Sequence, residues 1–491
     1  MLRKEIQESE LIFNFTANET RGVLLEGSTP LEIYYEYRDH KDLVGRIFKG
    51  KVIRVLPNIE AAFVDIGHEK AAFLEFSDIL VSEKNPSKGV RGGRPNIKLG
   101  DEYLVQVTKN PVAGKGAKVS NILTFSSRYF VYFSGIKRIS ISSKINNKNE
   151  RERLERLMSE FLNQRDLSDG VIARTMAHGI DEAILLRDLD SLSRMCEQVR
   201  QNSKLIKPKN CLYESLALPM RIIRDFPTKI IKKIRVDSEH EFHMLTHYLS
   251  EYSPDVQTKI DFYQGDIPIF DEYSIEEQIQ SAYQRSVNLP SGGNIVFDQT
   301  EAMTIIDVNS GQFNKGKDHD EMALLLNNEA IIVIAQQLRL RNIGGIIVID
   351  FIDMMSNKFN QIVYKKFKEI MRKDRVQNQI FPLSRIGLIE MIRKQHHNSL
   401  YQEMFTICSQ CHGKGYQLSG SMLFYRMVRA LKYRILKDNL KSISVSVGKT
   451  IFRYYNKYGK SQIKILEKEI NTSIKLSLST IDPDGEYEID Q

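Results

Sequence analysis

Two apolar runs that each stop at a carboxylate constrain this chain more than any other feature. They are Met303-Thr304-Ile305-Ile306-Asp307-Val308-Asn309 and Ile346-Ile347-Val348-Ile349-Asp350-Phe351-Ile352-Asp353. Between them lies a segment of helical character, from about Asp318 to Arg341, which Gly344-Gly345 then breaks. Runs this apolar read as buried strands of a parallel sheet. A strand–helix–strand unit predicts parallel strands whose C-terminal ends share one edge. Asp307 and Asp350 then become neighbours despite standing 43 positions apart. Side-by-side carboxylates repel unless a cation lies between them. A hard cation with oxygen ligands, most simply Mg2+, is the expected occupant. The bland alternative is that each acid merely ends a strand, and finding two in one unit weighs against it. Asn309 follows Asp307 by two positions and shares its face, where its amide can hold a carboxylate or phosphate oxygen. Asp353 stands three beyond Asp350 and in an undistorted strand faces the other way, so it ranks behind Asp350 as a ligand.

At 491 residues the chain exceeds one small core, and three or more structural units are expected. Residues 1–40 alternate apolar and polar positions and read as short antiparallel strands. Residues 45–125 are also strand-rich, as in Gly45–Val52, Ala61–Gly67, Ala71–Leu74 and Glu102–Val107, which suits a small five-stranded OB-type barrel. The polar, basic stretch 82–100 reads as a long loop of that barrel. Residues 128–215 look mixed α/β, with helices near 149–163 and 181–202 and a strand at 169–175. Strands and helices mix again over 220–282, and a helix at about 421–437 precedes several strands near the C-terminus.

Charge is 70 basic against 62 acidic residues, a net +8, so placement matters more than size. Four cysteines are too few and too scattered for a disulfide scaffold, and a reducing compartment fits. No run is long enough to span a membrane, and the first residues lack a signal sequence, so a cytoplasmic protein is expected. Cys408-Ser409-Gln410-Cys411 followed by Gly413-Lys414-Gly415 is half of a zinc-ribbon pattern. Structural Zn2+ needs four ligands, and no second such pair exists, so two chains contributing one pair each is the economical solution. His412 as a third ligand, a redox dithiol, or two ordinary cysteines remain open alternatives.

Phe63 and Phe73 lie on barrel strands near Lys49, Lys51, Lys115 and Lys118. Exposed aromatics with cations grip single-stranded RNA by stacking and phosphate pairing. The competing reading puts both rings in the barrel core. Arg174-Thr175 ends a strand, where guanidinium plus hydroxyl can clamp a phosphate or can be an ordinary strand end. No HExxH, Walker A or GxGxxG pattern is present, so catalytic zinc and nucleotide-driven chemistry have no support.

Seven strings occur in an order that resembles the ribonuclease E/G family. They are Glu60–Asp65, Arg94–Ile97, Leu289–Gly293, Asp307–Ser310, Arg339–Gly345, Ile349–Met354 and Cys408-x-x-Cys411. The resemblance implies a multidomain α/β chain. Its parts would be an RNase H-like domain (1–40 and 220–282), an inserted S1 barrel (41–127), a 5′-sensor region (128–219), a DNase I-like catalytic domain (283–404), a zinc link (405–415) and a small dimerisation domain (416–491). It also implies that Asp307 and Asp350 hold Mg2+ with Asn309 orienting them. Phe63, Phe73 and Lys115 match RNA-gripping positions, Arg174 and Thr175 match a 5′-monophosphate pocket, and Cys408 and Cys411 match a Zn2+ link between protomers. Ser409 and Lys414 depart from the usual residues of that link without removing a ligand, and Ser127 replaces a glycine of one branch's sensor pocket. The implied activity is Mg2+-dependent endonucleolytic cleavage of single-stranded RNA by a homodimer or homotetramer, in ribosomal RNA 5′-end maturation and mRNA decay. A non-catalytic RNA-binding protein and a phosphodiesterase acting on another nucleic acid are the alternatives.

Overall fold

The structure, a computed structural model, describes residues 9–38, 42–80, 90–91, 94–95, 97–111, 115–165, 168–226, 231–252, 259–311, 319–394, 399–406, 408–409, 411, 413–479 and 487–490. Most of the expected 82–100 loop and the acidic stretch 480–486 lie outside the described residues. The chain forms two compact units, Met1–Glu403 and Met404–Gln491.

The first unit is a mixed α/β assembly built on several sheets. Its N-terminal strands Ser9–Phe15, Glu19–Glu26 and Thr29–Tyr37 are antiparallel, as their alternation predicts. Ser9–Phe15 also pairs in parallel with Ile231–Val236, which pairs in turn with Lys259–Phe262. One five-stranded sheet therefore draws on two distant stretches of sequence. The basic run near 231–235 is largely paired, since Lys233 meets Asp261 and Arg235 meets Glu10 at 3.1 Å.

Between those stretches stands a closed five-strand barrel made of Ile47–Leu56, Ala61–Asp65, Ala72–Glu75, Lys118–Ser120 and Glu102–Lys109. Closure comes from the long first strand, which pairs with Glu102–Lys109 on one side and Ala61–Asp65 on the other. Asn210–Tyr213 adds an outer strand beside it, a pairing that local pattern did not announce. The next layer is a four-stranded sheet covered by the helices Lys148–Gln164 and Glu182–Leu205. Asn147 and Asp181 cap these helices by accepting from Glu150 N and Ala183 N.

The sheet that carries the paired acids has six strands, in the order Ser286–Asn288, Asn294–Gln299, Met303–Asn309, Gly345–Asp350, Ile389–Arg393, Asn378–Ile380. Met303–Asn309 and Gly345–Asp350 are parallel, joined by the helix His319–Leu340. Every other pairing in this sheet is antiparallel. The fully buried, all-parallel sheet expected from the apolar runs is therefore not what forms. The helices His319–Leu340 and Asn357–Met371 pack on one face, where Ile306, Ile347 and Ile349 meet Ile331, Ile334, Leu338 and Phe367. The other face is open, and Met303, Ile305, Ile346 and Ile392 are 36–48% exposed on it.

This sheet is joined to the N-terminal one by Glu32. Its carboxylate takes Arg339 at 3.1 Å and Arg375 at 2.7 Å, and Arg375 also lies 3.4 Å over the Phe226 ring. Burial pushes the Glu32 carboxyl up, but the two guanidinium charges and Tyr34 override it and hold its pKa down at about 2.

The second unit has a three-stranded sheet of Ser473–Leu478, Ser442–Val447 and Tyr487–Asp490. The helix Gly420–Asp438 and the helical run Lys449–Ile470 share its core through Phe424, Met427, Leu431, Val445, Ile451 and Ile463.

Candidate active site

Asp307 and Asp350 are direct register partners across the parallel strand pair. Alternation along Met303–Asn309 puts Asp307 and Asn309 on the open face with Met303 and Ile305, so the carboxylates end an apolar shelf. Asn309 Nδ2 donates to Asp307 Oδ2 at 2.9 Å. Partial desolvation at the sheet edge, with the charges of Asp307 and Asp353, holds the Asp350 pKa above the usual carboxylate value. Asp353 is thus close enough to act on Asp350. The strand ends at Asp350, so the alternation that turned Asp353 away does not extend that far.

Among the supports around the acids, the side chains of Asn327, Asp320 and Glu329 were not singled out in the sequence. Asn327, fully buried on the helix His319–Leu340, donates to Ile352 O at 2.8 Å and accepts from Ile352 N at 3.0 Å. Asp320 accepts from Met355 N at 3.0 Å and Ser356 N at 2.8 Å. Together they bracket the turn that carries Asp353. The turn Leu289–Gly293 packs on the backbone beyond Asp307, and a Cβ at Gly293 would come within 2.6 Å of Asn309 O. Glu329 anchors that turn by accepting from Ser291 N at 3.1 Å and from the Ser291 hydroxyl. An asparagine among Ala323, Leu326 and Ala330 on a buried helix face was the one signal in the sequence that could have exposed Asn327.

Among the described residues no three His, Cys, Asp or Glu side chains form a complete metal cage, and neither Asp307 nor Asp350 has a basic side chain as ion-pair partner. Two adjacent carboxylates at an open edge still fit Mg2+, which keeps several waters and takes one or two carboxylates from protein.

The barrel resolves the alternative for its aromatics. Ala62, Val64, Ala72 and Leu74 are fully buried, while Phe63 and Phe73 between them are only half-buried on the outer face. The two rings are register partners with centroids 5.9 Å apart at 64°. Lys115 and Lys51 are exposed, and Arg54 is the exposed register partner of Phe63. Lys49 and Lys118 are committed to protein partners: Lys49 to Ile206 O and Glu102, Lys118 to Glu75 and Asp78.

Arg174 and Thr175 sit together where the strand Gly170–Ala173 ends. Arg174 donates to Ser127 O at 2.6 Å and Asp225 Oδ1 at 2.7 Å. The exposed Thr175 hydroxyl lies 2.9 Å from that of Ser142. Behind them the Ser127 hydroxyl bonds the buried Asp188. Burial pushes Asp188 up to about 7, against the opposing pull of Ser127 and Arg174. In the second unit, Cys408 is exposed and Cys411 half-buried. Gly413 and Gly415, at φ +81° and +74°, form the turn in which Lys414 N donates to Cys411 O. His412 lies outside the described residues.

A family model described as "Ribonuclease E/G family" matches residues 124–396. Ribonuclease G of Escherichia coli (strain K12) is 38% identical over 429 residues, which is 86% of this chain and 87% of that protein. The chain belongs to the ribonuclease E/G family. A second model, "RNase E/G, Thioredoxin-like domain", matches 407–491. Ribonuclease G of Haemophilus influenzae is 37% identical over 428 residues, covering 86% of this chain and 87% of that protein. Ribonuclease E of Escherichia coli (strain K12) is 34% identical over 464 residues, 93% of this chain but 43% of that protein. Within the ribonuclease E/G family the chain is therefore like ribonuclease G nearly end to end. The first family model takes in Arg174, Thr175, Asp307, Asn309 and Asp350, and the second takes in Cys408 and Cys411.

Proposed function

We propose that this chain, an endoribonuclease of the ribonuclease E/G family, cleaves single-stranded RNA in a Mg2+-dependent reaction centred on Asp307 and Asp350. The products are a 3′-hydroxyl and a 5′-phosphate. The observation that carries the reading is the register pairing of the two aspartates at an open sheet edge.

A bound Mg2+ supplies a Lewis acid for the phosphodiester and lowers the pKa of a coordinated water. The chain supplies the rest. Asp307 and Asp350 hold the ion, and Asn309 fixes the Asp307 carboxylate by its hydrogen bond. The bracketed turn keeps Asp353 at the rim, adding negative charge beside Asp350.

Phe63, Phe73 and Lys115 on the barrel exterior hold unpaired bases and phosphates. Arg174 and Thr175 receive a 5′-monophosphate, and binding there positions the strand for cleavage elsewhere. Cys408 and Cys411 contribute half of a Zn2+ site completed by a second copy in a homodimer or homotetramer. The domain boundaries set out from the family resemblance, the cytoplasmic setting, and roles in ribosomal RNA 5′-end maturation and mRNA decay belong to the same proposal. Among the described residues, no helix is long and apolar enough to cross a membrane.

The test is cleavage of an A/U-rich single-stranded oligoribonucleotide bearing a 5′-monophosphate or 5′-hydroxyl, with and without Mg2+. Wild-type protein should require the ion and prefer the monophosphate. Undiminished cleavage by Asp307→Asn would sink the metal assignment, and equal rates on both 5′ ends would remove the sensor role of Arg174 and Thr175.

A further inference from the structure

Charge is distributed unevenly along this chain. From Gly420 to Ile470, twelve Lys and Arg stand against three acidic residues, Asp438, Glu467 and Glu469, whereas the whole chain is nearly balanced at 70 to 62. The helix Gly420–Asp438 buries Leu423, Phe424, Met427, Leu431 and Ile435 and leaves Tyr425, Arg426 and Arg429 exposed. Arg429 lies one turn from Tyr425 on the same face.

The helical run Lys449–Ile470 is interrupted by a five-residue π segment, Tyr455–Gly459. Such segments are uncommon and cluster at functional sites. Gly459 is needed there, because a Cβ would come within 2.7 Å of the Phe424 ring. Across this junction three tyrosines form a ladder. Tyr425 and Tyr454 have ring centroids 6.3 Å apart, and Tyr454 and Tyr458 5.5 Å. The two outer rings are well exposed, Tyr425 at 39% and Tyr458 at 58%. Lys457 Nζ lies 5.0 Å from the Tyr458 ring centroid.

Cations along the ladder lack acidic partners. Lys432 pairs with Glu469 and Arg434 with Asp438, but Arg426, Arg429, Arg453 and Lys457 meet no carboxylate among the described residues. Exposed rings interleaved with unneutralised cations match the needs of a single-stranded nucleic acid, whose bases stack and whose phosphates seek charge.

We propose that the tyrosine ladder Tyr425–Tyr454–Tyr458, with Arg426, Arg429, Arg453 and Lys457, is a second docking surface for single-stranded RNA, additional to the barrel. It extends the grip on the strand and adds no chemistry.

The experiment uses the full chain carrying Asp307→Asn, in Mg2+-free buffer without chelator, and an oligoribonucleotide of about 30 nucleotides, longer than one OB-type site, containing 5-iodouridine. Irradiation should give adducts in peptides holding Tyr425 or Tyr454–Tyr458 as well as in barrel peptides. In parallel, Tyr425→Ala/Tyr458→Ala and Arg429→Glu/Lys457→Glu should each weaken binding of that RNA by about fivefold or more, the low end for one stacked base. Binding of an RNA of about eight nucleotides to the barrel should be unchanged.

Adducts confined to the barrel, or unaltered affinity in both variants, would overturn the second surface while leaving the proposed function intact. A change of assembly size in either variant, with RNA affinity kept, would instead make the ladder a contact between copies. Loss of all RNA binding with an intact ladder, on Phe63→Ala, would identify the barrel as the sole site. Wild-type protein that binds no RNA would fail the functional reading itself.

Discussion

Asn327 holds both backbone groups of Ile352, donating to its carbonyl at 2.8 Å and accepting from its amide at 3.0 Å. The amide therefore acts like one more rung of sheet, supplied by a helix to the first residues after a strand has ended. It lets the chain leave the sheet after Asp350 and still present Asp353 in a fixed place. Asn327→Ala should cost about 1–3 kcal/mol, because both backbone groups of the half-buried Ile352 lose their partner. Cleavage should fall further than stability does at temperatures where the variant is fully folded. Denaturant unfolding and single-turnover cleavage measure the two separately. A variant with lower stability but wild-type turnover would confine Asn327 to folding.

Asp307 and Asp350 present the opposite situation, two like charges in register with no basic partner among the described residues. Neutralising either one removes repulsion and would also remove a ligand of the proposed ion. Without Mg2+, Asp350→Asn should melt no lower than wild type. With Mg2+, wild type alone should gain stability, since an ion that binds only the folded state shifts unfolding by mass action. Cleavage by either Asn variant should drop on the order of a thousandfold, the loss of several kcal/mol of transition-state stabilisation. Calorimetry with and without Mg2+, paired with cleavage rates, checks both.

The sequence made the strand–helix–strand unit legible because its apolar runs, its helix and its Gly344-Gly345 break all point one way. The three N-terminal strands and the helices at Lys148–Gln164, Glu182–Leu205 and Gly420–Asp438 were equally readable from local pattern. Non-local pairings were not. Nothing near Ser9 announces that its strand will lie beside Ile231, nor near Asn210 that it will join the barrel. The open face of the six-stranded sheet was hidden too, because Ile305 and Ile346 look as buried as Ile306 and Ile347 until the helices are seen to cover one side. Phe63 and Phe73 were ambiguous for the same reason, since alternation fixes that two faces exist but not which one is wet.

Asp188 introduces a pH dependence whose sign is fixed by burial. Its carboxyl is pushed up to about 7 from an ordinary value of 3.8, chiefly by burial beside Ser127. Between those values the folded state binds a proton that the unfolded state has released, so stability is greatest at the acid end and declines as pH rises from about 4 through about 7. Asp188→Asn should flatten that decline and make the protein more stable at pH 8. Urea midpoints across the range provide the measurement. A wild-type profile with no slope assignable to Asp188 would contradict the burial argument.

Phe63 and Phe73 are half-buried with their backbones in the barrel but their rings outside it. Replacing Phe73 by Ala should leave the melting temperature within a few degrees of wild type, since the core residues Ala72 and Leu74 are untouched. The same change should weaken single-stranded RNA binding by about 1–3 kcal/mol, the worth of one stacked base. Fluorescence anisotropy with a labelled oligoribonucleotide reads the affinity. A loss of stability without a loss of affinity would return the ring to the barrel's own packing.

Cys408 and Cys411 would supply two of the four ligands that the proposed structural Zn2+ demands, and the chain has no second Cys-x-x-Cys. The other two cysteines belong elsewhere: Cys196 is buried in the core under the four-stranded sheet, and Cys211 lies on the strand added to the barrel. A tetrahedral site built from this pair thus needs a second copy, which fixes a stoichiometry of about one Zn2+ per two chains. Metal analysis of purified protein should give that ratio, and Cys408→Ser should abolish both the zinc and the dimer in light scattering. Chelation should have the same effect on size, more slowly, because thiolates from both copies would hold the proposed ion. One Zn2+ per chain would call for ligands within a single copy, with His412 the first to mutate, and a dimer that survives without zinc would leave the assembly to other surfaces.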